Sequence, residues 1–276
     1  MGKDDVEVAA TATQVVGELI KAAGDSDEAK QAGQNIGKAA VTLTAAINNC
    51  LLPIAAVNFA FAKAKDYFGG LFQSDIAEAT TKIPPGDLIE PKPSIAGPAL
   101  QALAFSHDEP DLKDLYIQLL ATSMDSRNAG QAHPAFVEML RQLTSSEAKA
   151  LRSVLPAMQL PICQIVEMFE GGGRRTRLNH VLDWGNAQTR KAVIEPQLPV
   201  MVDNWIRLGL VEVDYTRWIK QEEAYDWMEK RPELQSFRAQ AKGGQSKINP
   251  QKGLMLVTDL GEQFGRAVGM KMPPRQ

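Results

Sequence analysis

The chain holds three histidines, His107, His133 and His180, the side chains best suited to proton transfer near neutral pH. No two of them have the spacing of metal ligands, and the two cysteines, Cys50 and Cys163, are too few to build a structural zinc site. His133 precedes Pro134 and reads as a helix cap rather than a ligand. The glycine run GGGRRTR, 171–177, lacks the Gly-Lys-Ser/Thr ending of a phosphate-cradling loop. Neither a Gly-x-Ser-x-Gly elbow nor a His-Glu-x-x-His helix occurs. The expectation is a non-enzyme, with no catalytic residue, cofactor, metal or small-molecule substrate.

Two groups of residues could instead recognise a partner. Arg174, Arg175, Arg177, Arg190 and Lys191 fall between 174 and 191, opposed only by Asp183, and could grip a phosphate backbone. The competing reading is a solvated charged loop. The second group lies in an excursion over 214–250 that carries Tyr215, Trp218, Tyr225, Trp227 and Phe237. Trp218, Tyr225 and Trp227 are candidate partner contacts, since tyrosine and tryptophan are enriched at binding hot spots. The same rings would equally anchor the excursion to its own domain.

The surrounding composition bounds these readings. At 276 residues with 44% hydrophobic content, the chain is long enough for one or two cores. A net charge of −3 argues against coating nucleic acid non-specifically. The acidic start MGKDDVEVAA does not resemble a signal peptide. Val6 occupies the position where a myristoylation signal needs Ser or Thr. With two distant cysteines, the expected setting is the reducing cytoplasm.

Periodicity predicts a mainly α chain in three parts. Residues 1–83 form an N-terminal helical region with a helix over 6–22 and an uncharged run over 39–62. That run is long enough to span a bilayer, and inner-membrane association through it is an alternative. Asn48, Asn49 and Asn58 make spanning costly, and Pro53 splits the run, which favours two buried helices. Residues 66–93 read as a connector rich in Gly and Pro.

The second part, 84–156, is a set of capped helices. Pro91 and Pro93 keep the residues before them extended and deliver the chain to a helix near Ile95, with Ser94 as cap and Pro98 in the first turn. Asp108 is expected to cap the next helix, whose apolar positions Leu112, Leu115, Tyr116, Leu119, Leu120 and Met124 recur at three and four. Thr144 and Glu147 make a capping box.

The third part, 157–276, reads as a winged-helix-like module with a small β wing and a helical insertion over about 214–250. LPICQIVEMF, 160–169, is a strand or short helix, and GGGRRTR is a loop. Leu198, Met201, Val202, Trp205, Ile206 and Leu208 make an amphipathic helix that stops at Gly209. The wing strands are 210–213 and 254–257, and Thr258 caps a last helix. The amphipathic helix would offer Glu195 and Asp203 to DNA, which repel phosphate, with only Gln197 and Arg207 as readers.

In order and spacing, PPGDLIEPKPSIAGPALQAL, DLKDLYIQLLATSMD and HPAFVEMLRQLTSSEAKAL resemble the Abi-alpha (abortive infection alpha) family of bacterial proteins. The tail segments DNWIRLGLVEV and LMLVTDLGEQFGRAV are also similar to it, so the resemblance covers about 60–268. It implies a role in defence against phage by halting or killing the infected cell, and it supplies no catalytic residues. The expected partner is a protein or a second copy of the chain. The alternatives are a DNA-binding regulator and a membrane-perturbing effector using 39–62.

Overall fold

The structure, a computed structural model, describes residues 58–185, 189, 191–241 and 246–274. The predicted 6–22 helix, the run over 39–57, Cys50 and Arg190 lie outside the described residues. The chain divides into two compact units. The first takes in the described residues up to Arg152 together with Gln263–Lys271, and the second takes in Ser153–Glu262.

The first unit is helical: α1 Asn58–Gly69, α2 Leu71–Thr80, α3 Pro93–Ser106, α4 Pro110–Met124, α5 Ala135–Leu140 and α6 Ser145–Val154, which ends at the unit boundary. The expected connector over 66–93 is therefore helical through Thr80. Gly70 breaks the helix for one residue only, because Phe68, Phe72, Ile76 and Ala77 bury in the core on either side of it. The α4 face forms as its spacing predicts, with Leu115, Leu119, Leu120 and Met124 fully buried.

The caps divide into those that form as written and those that shift. Thr144 and Glu147 exchange the reciprocal bonds of a capping box, Thr144 N to Glu147 Oε2 at 2.8 Å and Glu147 N to Thr144 Oγ1 at 3.2 Å. Nδ1 of His133 accepts the N–H of Ala135 at 3.1 Å at the start of α5, so it serves as a cap. Helix α3, by contrast, begins at Pro93 behind an extended Lys92, which leaves Ser94 inside the helix and Pro98 beyond its first turn. Glu109 rather than Asp108 precedes α4, with Pro110 at its first position, and Asp108 pairs with Lys63 at 3.5 Å.

The proline-rich approach is sewn to the end of α4. Ile89 N donates to Met124 O at 2.8 Å, Ser126 N donates to Asp87 O at 2.9 Å, and Leu88 bridges Asp125. Stiff backbone there lowers the entropy lost when these few bonds form.

The second unit is α+β. Its strands are β1 Gln159–Phe169, β2 Arg174–Leu182, β3 Val211–Asp214 and β4 Ser246–Val257. They form one antiparallel sheet in the order β2-β1-β4-β3. Helix α7, Leu198–Arg207, precedes β3; α8, Pro232–Gln240, lies in the excursion; α9, Asp259–Ala267, follows β4. The two expected wing strands do pair, Val211 with Val257 through Asp214 with Leu254. They are half of a larger sheet, because the run read as a loop from 171 to 177 is a loop only to Gly173 and continues as β2. The 214–250 excursion is less helical than expected: two 3-10 turns, α8, and the first residues of β4.

One side of this sheet packs against the excursion. Cys163, Ile165, Val181 and Ile248 cluster with Tyr225, Met228 and Leu234, and Trp227 and Phe237 pack on their edge. Gly209, at a φ of +72°, ends α7, where a left-handed residue is required, and the Thr258 hydroxyl caps α9 by accepting the N–H of Gly261 at 2.9 Å.

Candidate functional site

The arginine cluster is divided by the strand it lies on. In the β1–β2 ladder Glu167 stands opposite Arg175. Its nearly buried carboxylate takes Arg175 Nη2 at 2.7 Å, Arg177 Nη1 at 3.2 Å and the Ser246 hydroxyl at 2.8 Å. The bond from Ser246, then that from Arg175, holds this carboxyl below the usual glutamate range. Arg177 also lies 5.1 Å from the Phe237 ring. Arg175 and Arg177 thus tie three strands and the excursion together, and the single Glu167 carboxylate offsets one of their two positive charges. Arg174 and Lys191 are exposed, and Arg190 lies outside the described residues.

The aromatic group divides too. Tyr225 is 3% exposed, and its hydroxyl accepts Ile219 N at 3.0 Å and donates to Gly253 O at 2.8 Å. The Trp227 indole donates to Ala224 O at 2.9 Å while the ring packs on the core. Both rings hold the excursion down. Trp218, 58% exposed, keeps a free face.

A further cluster gathers residues that sequence reasoning left scattered. His180, buried near the end of β2, has a φ of +56°, a left-handed conformation uncommon outside glycine. Its backbone N–H donates to the Tyr215 hydroxyl at 2.9 Å, and that hydroxyl lies 3.0 Å from its Nδ1. Its Nε2 lies 3.1 Å from Oδ1 of Asp203 on α7. A neutral ring satisfies all three contacts: the phenol donates to Nδ1, and Nε2–H donates to Asp203. Burial lowers the His180 pKa, with Asp203 opposing it, and burial raises that of Tyr215. The phenol is therefore a poor nucleophile at neutral pH, and the cluster works as a clasp joining β2, α7 and the end of β3. Burial also pushes the Cys163 thiol up to about 12, which leaves it unreactive. Nothing local in NHV or DYT marks this cluster; only the fold brings 180, 203 and 215 together.

The same unit holds a second clasp. Arg231, 1% exposed, bonds Glu233 through Nε at 2.9 Å, Trp184 O through Nη1 at 2.6 Å and Val193 O through Nη2 at 2.8 Å. It fixes both ends of the loop after β2 against the excursion, and a lysine could not reach all of these acceptors.

These clasps fix how α7 is presented. Leu198, Met201, Val202 and Trp205 bury inward as its periodicity predicts, but Ile206 does not. The outward face shows Val200 at 61% and Ile206 at 37% exposure around an exposed Asp203, and Val193 and Ile194 are exposed just before the helix. Arg207 on this face bonds its own helix through Asn204 Oδ1.

Among the described residues no group of three His, Cys, Asp or Glu could hold a metal ion, and no helix is long and apolar enough to cross a membrane. Neither the curated proteins nor the solved structures yield a match to this chain. The profile of the family described as Abortive infection alpha matches residues 64–268, from α1 of the helical unit to just past the end of α9. A match over that much of the chain, on the segments that build both units, places this protein in the abortive infection alpha family.

Proposed function

We propose that the protein acts in abortive infection defence without catalysing a reaction, by contacting another protein through the outward face of α7. The observation that carries this reading is the exposure of Val200 and Ile206 on either side of Asp203, the carboxylate that His180 holds at 3.1 Å. In a winged-helix-like arrangement of α7, β3 and β4, this helix would be the recognition element. Apolar side chains flanking a carboxylate suit a protein surface and repel a phosphate backbone. The tie of Arg175 and Arg177 to Glu167, which offsets part of their charge, supports the same choice over a DNA-binding regulator. Group transfer finds little support in a phenol and a thiol that burial keeps protonated.

The test is phage challenge of cells expressing either the wild type or a Val200→Asp, Ile206→Asp variant. Both positions are on the surface, so the variant should fold with an unchanged circular dichroism spectrum. Protection is expected to fall to the level of cells lacking the protein. Full protection by a folded variant would exclude α7 as the contact.

A further inference from the structure

The β1–β2 hairpin ends in an arrangement that neither its packing nor the α7 face accounts for. At its tip Met168 and Phe169, 41% and 39% exposed, are neighbours in sequence and so point to opposite faces of the sheet. Each has cations beside it. Met168 stands directly opposite Lys247 on β4 and Arg174 on β2, so the three make a row across one face. Lys247 and Arg174 are both exposed and make no ion pair among the described residues. On the other face the Arg175 guanidinium lies 5.9 Å from the Phe169 ring. Between the strands, Gly172 N donates to Phe169 O at 3.0 Å, so Glu170 and Gly171 form the centre of the turn and Gly171 to Gly173 add no side chain beside Glu170. Gly172 needs its positive φ of +84°, whereas a Cβ on Gly171 would meet nothing.

From this geometry we propose that the hairpin tip docks the protein, end-on, onto a bilayer surface rich in anionic phospholipid. A protein partner lying on the sheet would cover Met168 or Phe169 but not both, since the sheet separates them. A nucleic acid backbone would use the cations and leave both apolar side chains in water. A headgroup layer surrounds whatever enters it, so both faces of the tip meet acyl chain while Arg174, Arg175 and Lys247 sit level with the lipid phosphates. Glu170, exposed at the centre of the turn, is the one side chain the apex carries ahead of Met168 and Phe169, and its carboxylate limits the depth to the headgroup layer. The mode is surface docking, distinct from a spanning segment and from the α7 contact, so either reading can fail while the other stands.

The test is co-sedimentation of the full chain with vesicles of phosphatidylglycerol and phosphatidylcholine, and with pure phosphatidylcholine as control. The wild type is expected to pellet with the anionic vesicles and to be released by salt. Arg174→Glu with Lys247→Glu should weaken partitioning at least twenty-fold, because each cation near such a surface contributes about five-fold. Met168→Ser with Phe169→Ser should weaken it several-fold at unchanged charge. Circular dichroism checks that these surface variants fold. Three results would overturn the proposal: a wild type that stays in the supernatant, variants that pellet like the wild type, or a duplex DNA gel shift that needs Arg174 and Lys247 while anionic vesicles bind nothing.

Discussion

The Tyr215 hydroxyl accepts the backbone N–H of His180 at 2.9 Å and meets Nδ1 of the same residue at 3.0 Å. One phenol thereby holds both the main chain and the ring of a residue whose φ is +56°. The left-handed backbone carries a cost of about 1–3 kcal/mol that persists only when neighbours over-determine it. Tyr215, Asp203 and the stacked ring of Tyr215 over the imidazole, 6.0 Å between centroids, are those neighbours.

The clasp predicts a pH dependence with a definite sign. Burial holds the folded-state pKa of His180 below its ordinary value of about 6.5, so the folded protein binds this proton less readily than the unfolded chain. The stability due to the neutral ring is therefore present above about pH 6.5 and is lost as pH falls through the lower folded value. His180→Asn keeps a side chain that tolerates the left-handed backbone and removes the titration. Urea unfolding should show the wild type losing more stability than the variant between pH 7.5 and 5. Parallel pH curves for the two proteins would show that His180 is not the titrating group.

Asp125 predicts a second, more acidic transition in the helical unit. Its carboxylate accepts Arg127 Nε and Nη2 at 2.8 Å, the Arg127 backbone N–H at 3.0 Å and Asn128 Nδ2 at 2.9 Å. The Arg127 side-chain bonds, foremost among several, draw its pKa down to about 2 from an ordinary 3.8. Here the stability is present above about pH 4 and is lost as pH falls toward 2. Asp125→Asn should cost about 1.5–3 kcal/mol at pH 7, the range for bonds to a charged group, and should flatten the acid limb. A variant as stable as the wild type at pH 7 would mean that the proline-rich approach is held without this carboxylate.

What the sequence made legible follows the range of the forces involved. The capping box at Thr144 and Glu147, the stop at Gly209 and the cap at Thr258 are local, written within four residues, and all form. The α4 face is legible for the same reason. Strand β2 was not: RRTRLNHVL carries three arginines that look solvated until Glu167 on another strand is placed opposite. The helices through 58–80 are not legible beyond 66, because the glycine pair outweighs the aromatic residues whose burial holds them. The His180 clasp depends on residues 23 and 35 positions away, and no local pattern records that.

Leu119 tests the core of the first unit. It is fully buried on α4, as are Leu115 and Leu120. Leu119→Ala should destabilise by about 2–5 kcal/mol, from lost transfer energy plus the cavity left behind. Thermal unfolding by circular dichroism at 222 nm reads it directly. A shift within error would mean that the helices close around the gap without penalty.

The tightest approach to the clasp predicts a rescue. A Cβ built on Gly253 would lie 2.4 Å from Cδ1 of Tyr215 and 2.9 Å from its Cε1, so no side chain fits while the ring stays in place. The ring cannot move freely, because its hydroxyl is committed to His180. Gly253→Ala should therefore cost about 1–3 kcal/mol, as overpacking does. Tyr215→Ala alone should also destabilise, by releasing the strained His180 backbone. In the double variant the two colliding ring atoms are gone, and of the three nearest neighbours of the new methyl Asp214 O is left, at 3.2 Å. The second substitution should then cost much less than it does alone, giving a coupling of about 0.5–3 kcal/mol in a double-mutant cycle. Additive costs would show that Gly253 is required by its own strand rather than by the ring laid across it, and the clasp would lose its floor.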